Sequence, residues 1–342
     1  RVPVIVHFSG KVNLNLFQDE DRASQRAQLV RALKATAEAS QRSVAHLLDD
    51  SGVGRRASLW GINGLAVTAN AQRVIALAHN PNVQRISHDA VVEGPGAVTE
   101  ANEPGGWNLD AIGAPALWAQ QKSGAGIVVA VLDTGVDVLH PDLAASYRGG
   151  SNSWFDPHGE HATPYDKTGH GTQAMGLIVG GGASGTTIGV APDAQWIAAK
   201  IFNVAGSAPM SAIHQAFQWV LDPDGDPGTY DSAYIVNNSW SLGNFGGCSL
   251  EFEQDIQVLK AAQIAVVFAG GNYGPGGSTS VSPANNPSGF AIGSVDSANN
   301  ISTTSSSGPA ACDTSTYPEV VAPGVNVTTA DLTFGGAFPD SY

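Results

Sequence analysis

Residues 128–143, VVAVLDTGVDVLHPDL, decide which fold class the sequence predicts. An apolar run of β-forming residues ends at Asp133, and a glycine-containing turn follows it. His170 lies 37 residues further on, between two glycines, at the start of an apolar helical pattern. In parallel α/β sheets, functional side chains gather where strands end and helices begin. We therefore expect Asp133 and His170 to meet at one edge of a sheet.

The remainder of residues 107–342 alternates apolar strand candidates with helical patterns. The strand candidates cover residues 127–132, 196–201, 234–238, 264–269 and 290–293, and the helical patterns cover residues 173–179, 211–220 and 251–262. Strands that are almost continuously apolar are typical of parallel sheets with both faces covered. The alternation predicts an α/β domain with a doubly wound, mostly parallel sheet and a site at the carboxyl ends of its strands.

Residues 1–93 have a different pattern, which predicts a small α+β domain. The predicted order is a strand over 2–8, a helix over 21–48, strands over 58–62 and 65–68 joined at Asn63-Gly64, a helix over 70–79 and a strand over 83–87. This β-α-β-β-α-β order is that of a ferredoxin-like fold. Residues 94–106 are rich in Gly, Pro, Ala and Glu without periodicity, which predicts a linker or a processing junction.

The composition excludes several classes of protein. Hydrophobic residues make up 42% of the 342 residues and charged residues only 13%, so the chain is globular and long enough for two domains. The net charge of −14 argues against binding to nucleic acid, whose phosphates require Lys and Arg. No apolar run reaches the roughly 18–20 residues of a membrane-spanning helix.

The N-terminus and the cysteines bear on secretion. Arg1-Val2-Pro3 already opens a strand-like run, and a secreted protein whose signal peptide had been removed would look the same. If Cys248 and Cys312 are paired, they close a loop of about 65 residues, which the chain-entropy estimate values at roughly 4 kcal/mol. The pairing is expected of an exported protein, and two unrelated free thiols are the alternative.

Two further segments follow buried strands. Residues 268–274, FAGGNYG, place Asn272 after the small residues Ala269, Gly270 and Gly271, where a substrate could approach the backbone. The Asn272 amide could donate to a developing oxyanion, or it could simply suit a glycine-rich turn. Residues 235–241 end in Ser239, Trp240 and Ser241, a strand edge that could pair with an extended peptide. Trp240 could equally be a packing residue.

Taken together and in this order, four motifs resemble those of the subtilisin-like serine proteases. They are Asp-Thr-Gly at 133–135, His-Gly-Thr at 170–172, Ala-Gly-Gly-Asn at 269–272 and Val-Ala-Pro-Gly at 321–324. Residues 154–172 and the acidic run LDPDGDPGTYD resemble the bacillopeptidase F-like branch of secreted bacterial enzymes. The resemblance implies an Asp-His-Ser triad in which Asp133 orients His170, an oxyanion role for Asn272 and a peptide substrate. It also implies that residues 1–93 are an inhibitory propeptide.

The sequence departs from the family pattern at the nucleophile. The family's Gly-Thr-Ser motif is missing from residues 334–342, FGGAFPDSY, and Ser341 lacks its context. Gln173 occupies the position of a second family histidine. We expect residues 1–342 to be inactive alone, as the N-terminal piece of a precursor or as the partner of a separate C-terminal chain that supplies the serine.

Calcium is the cofactor that the resemblance suggests. Asp142 matches a family calcium ligand, but residues 180–187, GGGASGTT, lack the usual Asn side chain. An acidic group, Asp222, Asp224 and Asp226, could also gather an ion. It does not follow the EF-hand pattern, because Ala233 stands where the Glu would be, and a solvated acidic loop is the alternative.

Three functional hypotheses result. The first is a secreted serine endopeptidase precursor that is cleaved between about residues 88 and 107. The second is a non-catalytic, protease-derived protein that binds peptides along residues 237–241 and 269–271. The third, a metal-dependent hydrolase that uses His158-Gly-Glu160-His161, is weak because no helical His-Glu-x-x-His motif is present.

Overall fold

The computed structural model describes residues 1–17, 21–48, 53–96 and 106–336. The helices are α1 (Arg22–Arg42), α2 (Ala45–Leu48), α3 (Ala71–Ala78), α4 (Trp107–Ala111), α5 (Ala114–Trp118), α6 (Pro141–Ala144), α7 (His170–Val179), α8 (Met210–Leu221) and α9 (Glu253–Ala261). The strands are β1 (Val2–Phe8), β2 (Val53–Leu59), β3 (Gly64–Ala69), β4 (Val83–His88), β5 (Val91–Glu93), β6 (Val128–Asp133), β7 (Trp154–Phe155), β8 (Gln195–Lys200), β9 (Ser207–Pro209), β10 (Ile235–Asn238), β11 (Ala265–Ala269), β12 (Ala291–Val295) and β13 (Val320–Pro323).

The chain forms two compact units. One contains residues 1–92, 208–232 and 254–263, and the other contains residues 93–207, 233–253 and 264–342. Among the described residues, no helix combines the length and the apolar character needed to cross a membrane.

A seven-stranded parallel sheet organises the second unit. Its strand order is β13-β12-β11-β10-β6-β8-β7, with β6 near the centre. From β6 the chain continues to β8 on one side and later to β10 on the other, so the order reverses between β6 and β10. Such a reversal opens a crevice at the carboxyl ends of the strands. The predicted α/β class with a mostly parallel sheet is confirmed.

The core on one side of this sheet is formed by inward side chains of β6, β8 and α7. It includes Val129 and Val131 of β6, Trp196 of β8 and Met175 of α7, all nearly or fully buried. Helix α7 packs against β6 and β8, which brings its first residue, His170, toward the end of β6. The predicted strands coincide closely with β6, β8, β10, β11 and β12, while β7, β9 and β13 were not predicted.

In the first unit, residues 1–92 form an antiparallel sheet with the strand order β2-β3-β1-β4. The order of its main elements is the predicted β-α-β-β-α-β. The single predicted helix over 21–48 is wrong, because α1 ends at Arg42 and α2 begins at Ala45. At the break, the Ser43 hydroxyl donates to Ser40 O, 2.6 Å away, and Ser43 O accepts from Asn80. These bonds compete with continued helical bonding.

The predicted turn at Asn63-Gly64 is also partly wrong. Residues 60–62 form a 3₁₀ turn between β2 and β3 instead of ending a strand. Asn63 adopts a left-handed conformation, with φ of 49°, which asparagine tolerates better than most residues. Leu59 pairs with Gly64, so the connection is four residues long and not a two-residue turn.

Polar side chains of residues 1–92 bond the ends of α8 and α9 within this unit. Asp89 accepts hydrogen bonds from Ser211 N at 2.8 Å and from Ser211 Oγ at 2.7 Å, near the start of α8. At the end of α9, three α1 side chains donate to backbone carbonyls: Gln25 to Ala261, Arg26 to Ala262 and Arg22 to Gln263. The acidic group lies at a helix start and the arginines lie at a helix end, which matches the helix dipole.

The predicted junction at residues 94–106 is only partly observable, since residues 97–105 lie outside the described residues. Gly94 N donates to Gly206 O at 2.7 Å. A Cβ at Gly94 would lie 2.8 Å from the Phe202 ring, so a larger residue would not fit here. The start of this segment is therefore fixed by backbone contacts.

Leu132→Ala should lower the free energy of unfolding by about 2–5 kcal/mol, because Leu132 is fully buried and its truncation leaves a cavity. Leu139→Ala is the matched control. Leu139 is 77% exposed, so its loss should cost less than about 0.5 kcal/mol. Urea unfolding followed by tryptophan fluorescence measures both changes. Similar losses for the two variants would contradict the burial of β6.

Candidate active site

Asp133 and His170 meet where β6 ends and α7 begins. Asp133 Oδ1 lies 2.8 Å from His170 Nδ1. The Asp133 side chain is fully buried, while that of His170 is 17% exposed. Thr134 N also donates to Asp133 Oδ1, at 2.7 Å. The carboxylate is thus held by its own turn, and the imidazole can present its other edge toward the surface.

Two glycines allow the turn after β6 to lie this close to the segment that leads into α7 and to α7 itself. A Cβ at Gly135, where φ is +118°, would lie 1.9 Å from Tyr165 O. A Cβ at Gly171 would lie 2.1 Å from Gly135 O. Both distances are far below any real contact, so these positions accept only glycine. The glycines in the Asp-Thr-Gly and His-Gly-Thr motifs therefore have a direct steric cause.

Asp166 joins the two segments, and the sequence analysis missed it. Its buried carboxylate accepts the Thr134 hydroxyl at 2.9 Å, Gly169 N at 3.0 Å and both the backbone N and the hydroxyl of Thr172, at 3.0 and 2.8 Å. Thr134 follows Asp133, and the other two flank His170. One side chain thus fixes the turn after β6 and the start of α7. The only signal in the sequence was an acidic residue four positions before the histidine.

Burial and charge oppose each other at the imidazole. Burial lowers the pKa of His170, but the charge of Asp133, its hydrogen bond and the charge of Asp166 together raise it above the ordinary 6.5. At the carboxyl group of Asp166, burial has the opposite effect and raises the pKa, although the hydrogen bonds from Gly169 and Thr172 act against that rise. The positive form of His170 is therefore stabilised by its surroundings.

Lys200, at the end of β8, places a positive group beneath the same site. It is buried, and its Nζ donates to Thr134 O at 3.0 Å and to Phe202 O at 2.6 Å. Burial lowers the pKa of Lys200, while the charge of Asp166 raises it. Thr134 is thus bonded through its backbone carbonyl as well as through its side-chain hydroxyl.

Asn272 and the residues before it lie at the same edge of the sheet. Strand β10 pairs with β6 on one side and with β11 on the other, so the carboxyl ends of all three strands are neighbours. Asn272 follows β11 and is exposed, and Ala269 and Gly271 are half-buried. Gly270 is buried and donates to Ile292 O at 2.8 Å. These residues lie at the carboxyl end of β11, and β10 stands between β11 and the strand that carries Asp133.

Ser239, Trp240 and Ser241 follow β10, but they differ in their surroundings. Ser239 is half-buried and accepts from Asn237 Nδ2 at 3.0 Å, and Ser241 Oγ accepts from Gly243 N at 3.3 Å. The Trp240 ring is buried and meets the rings of Phe252 and Phe268 edge-on. The packing alternative therefore describes the Trp240 side chain, and a peptide could meet only its backbone.

Asp142, the predicted calcium ligand, is bonded by a neighbouring serine. Asp142 is buried, and Ser184 donates to both of its carboxylate oxygens, from the backbone N at 3.1 Å to Oδ1 and from the hydroxyl to Oδ2. Calcium needs 6–8 oxygen ligands, roughly. Within the described ranges, Asp142 belongs to no group of converging carboxylates. The serine supplies the hydrogen bonds that satisfy this aspartate.

The acidic group in the loop after α8 contains different residues from those predicted. The carboxylates that converge are Asp222, Asp224 and Asp231, whereas Asp226 accepts from Gly228 N at 2.8 Å. Lys34 forms an ion pair with Asp222. This cation neutralises part of the charge that an ion would otherwise balance.

The proposed metal-hydrolase residues are engaged in other contacts. His158 Nε2 lies 2.8 Å from Ile201 O, and Glu160 accepts from Val204 N at 2.9 Å. His161 stacks on Tyr165, with ring centroids 4.0 Å apart. Among the described residues these three side chains form no metal-ligating group.

Cys248 and Cys312 form a disulfide, as predicted. It joins the loop after β10 to the segment between β12 and β13.

Ser341, the serine that lacks the context of the family motif, lies outside the described residues.

The chain matches known proteins over most of its length. Residues 124–340 match the model of the subtilase family. Bacillopeptidase F of Bacillus subtilis strain 168 is 34% identical over 338 residues, which are 89% of this chain and 23% of that protein. Subtilisin E of the same strain is 32% identical over 269 residues, 78% of this chain and 63% of that protein. The M-protease of Shouchella clausii is 34% identical over 264 residues, 77% of this chain and 60% of that protein. The chain thus spans less than two thirds of the length of these relatives.

The titration of His170 tests the bond to Asp133. Asp133→Asn removes the charge that raises the pKa of His170, so that pKa should fall. Because the pKa of His170 is raised in the folded state, its protonation stabilises the fold below about pH 6.5, and this stabilisation is lost as the pH rises through the pKa of the folded state. NMR titration of the His170 ring measures the pKa, and urea unfolding over the same pH range measures the stabilisation. Asp193→Asn, whose carboxylate bonds Ser123, is the control and should leave His170 unchanged.

Asp166→Asn should lower the free energy of unfolding by about 2–3 kcal/mol, because an amide cannot accept all the hydrogen bonds that the carboxylate accepts. It should also lower the pKa of His170. Asp156→Asn is a matched control, since Asp156 likewise accepts backbone bonds from His158, Glu160 and His161. The control should destabilise the fold without shifting His170. A shift of the same size in both variants would show that Asp166 has no special place in the site.

Proposed function

The chain belongs to the subtilase family, and on this premise we propose that the protein is the precursor of a secreted serine endopeptidase. The observation that most supports this is the bond between the buried Asp133 carboxylate and the imidazole of His170. A buried carboxylate that holds a partly exposed imidazole is what a general base for a hydroxyl nucleophile requires. Its family relatives include subtilisins, which are serine endopeptidases.

Each residue of the site has a distinct task in the proposed reaction. His170 takes the proton of the attacking serine hydroxyl and later gives it to the leaving amine. Asp133 holds the imidazole in the correct tautomer and stabilises the imidazolium. The Asn272 amide donates to the oxyanion that forms on the scissile carbonyl. The peptide substrate lies extended between residues 239–241 and 269–271 and pairs with their backbone.

The nucleophile is the third partner of the triad. The Gly-Thr-Ser motif does not occur in residues 1–342. We therefore propose that a polypeptide of these residues alone has no turnover, and that the serine comes from residues that follow in a longer chain or from a separate C-terminal chain.

Residues 1–93 are proposed to be a propeptide that assists folding and inhibits the enzyme. The support lies in the polar contacts to α8 and α9, which satisfy backbone groups that helix ends leave without helical partners. Processing is proposed to occur between about residues 88 and 107, and residues 97–105 of that stretch lie outside the described residues.

A non-catalytic peptide-binding protein is the alternative. It would gain nothing from the Asp133–His170 pair, whose burial costs desolvation free energy. Calcium at Asp142 stays a prediction, and both oxygens of this carboxylate accept hydrogen bonds from Ser184.

Peptide hydrolysis by the full-length protein tests the proposal. His170→Ala should reduce kcat by about 10⁶, Asp133→Asn by about 10⁴ and Asn272→Ala by about 10²–10³. A synthetic peptide with a chromogenic leaving group provides the rates. Residues 1–342 alone should show no turnover. Turnover by this fragment would refute the proposal that its nucleophile lies outside residues 1–342. A His170→Ala enzyme as active as the unmodified one would refute the role of His170 as general base.

Asp89→Ala should weaken inhibition by the cleaved N-terminal piece about fivefold, because it removes a cap worth about 1 kcal/mol from α8. The inhibition constant of the piece released by processing measures this. Asp89→Asn retains a capping oxygen and should inhibit almost normally. Equal inhibition by the Asp89→Ala piece and the unmodified piece would show that Asp89 does not contribute to inhibition.

A further inference from the structure

The turn formed by residues 269–273 is bonded through its backbone on both sides of Asn272. Gly270 N donates to Ile292 O at 2.8 Å, and Ser306 N donates to Gly271 O at 2.9 Å. Tyr273 N donates to Ser306 Oγ at 3.0 Å. A Cβ at Gly271, where φ is +97°, would lie 2.8 Å from Ser306 Oγ, so the turn is also closely packed. The position of Asn272 therefore depends on its neighbours.

Tyr317 supplies the bond that completes this arrangement. Its hydroxyl donates to Gly270 O at 2.6 Å and accepts from Val281 N at 3.3 Å. The side chain is buried, with an exposed fraction of 6%. Burial raises the pKa of Tyr317 to about 12, and the hydrogen bond from Val281 opposes that rise. The hydroxyl thus remains a donor throughout the pH range in which an enzyme would work.

Residues 309–318, here called the Tyr317 loop, are themselves tied down. Gly308 N donates to Tyr317 O at 2.9 Å, which closes the base of the loop. Ala311 N donates to the buried Ser280 hydroxyl at 3.0 Å. The disulfide links Cys312 in this loop to Cys248 in the loop after β10. The Tyr317 hydroxyl is therefore presented from a loop that is anchored at its base and along its length.

We propose that Tyr317 is a positioning residue for the oxyanion donor Asn272. The inference rests on the proposed endopeptidase function and adds a residue that none of the family motifs includes. Tyr317 fixes the Gly270 carbonyl, two residues before Asn272, and so limits the positions that the Asn272 amide can take. Donors aimed in advance at the developing charge are the ones that lower the barrier. A loosened turn should reduce kcat by a larger factor than it raises KM, because the loss in the transition state adds to any loss in substrate contact along residues 269–271.

Tyr317→Phe in the full-length protein provides the test. We expect kcat to fall about tenfold, since misplacing a donor costs part of the ~10²–10³ that its removal costs. KM should rise by a clearly smaller factor than kcat falls. In the Asn272→Ala background the same substitution should have almost no further effect on kcat, because the donor is already gone. Tyr147→Phe removes the hydroxyl of a tyrosine that stacks on Trp196 and should leave kcat unchanged.

Two kinetic results would overturn the proposal. One is a kcat for Tyr317→Phe within twofold of the unmodified enzyme. The other is a tenfold loss that persists in the Asn272→Ala background, which would mean that Tyr317 acts on the fold in general. If Tyr317→Phe does not fold, Ser306→Ala takes its place, since it removes the bond to Tyr273 N on the other side of Asn272. Its kcat should fall with the same dependence on Asn272.

Hydrogen exchange separates this inference from the endopeptidase assignment. In Tyr317→Phe, the amides of Gly270 and Tyr273 should exchange about tenfold faster, while the amides of β6 stay unchanged. This result does not depend on turnover. If the unmodified full-length protein proves inactive, the proposed function fails, and the exchange rates alone decide whether Tyr317 holds the turn. Unchanged exchange at Gly270 and Tyr273 would overturn the inference in either case.

Discussion

The hydrogen bond between Asp133 and His170 depends on how closely two backbone segments can approach. At Gly135 and Gly171 there is no space for even one additional carbon atom, and Asp166 bonds the segments to each other. The contact forms only if the order of the strands, the position of α7 and the path of the connecting loops together bring Asp133 and His170 within hydrogen-bond distance. The parallel sheet provides this agreement, because β6 ends beside β8 and β10 and α7 packs back on β6.

The site combines elements that are far apart in sequence but whose strands are neighbours. Asp133 is the last residue of β6, Ser239 follows β10 and Asn272 lies beyond β11, so the sheet alone places three polar groups along one edge. The loops then refine the positions. At Asp142, where the resemblance suggests a calcium ligand, Ser184 donates to both carboxylate oxygens.

The sequence was sufficient wherever periodicity or a local motif determined the structure. The apolar runs predicted the strands of the parallel sheet, and the strand-to-glycine pattern predicted where Asp133 and His170 would lie. It was insufficient where the decisive bonds join a side chain to distant backbone. Asp166 and Tyr317 stand in irregular segments, and nothing in their spacing indicates that they bond Thr134 and Gly270. The break in the first helix at Ser43 was hidden for the same reason.

The central claim is that the Asp133–His170 pair activates a serine hydroxyl. Labelling of the full-length protein with a fluorophosphonate tests it most directly, because this reagent reacts with serines that a neighbouring base has activated. We expect one serine to be labelled and the label to be lost in His170→Ala. An unlabelled protein, or labelling that is unaffected by loss of the imidazole, would contradict it.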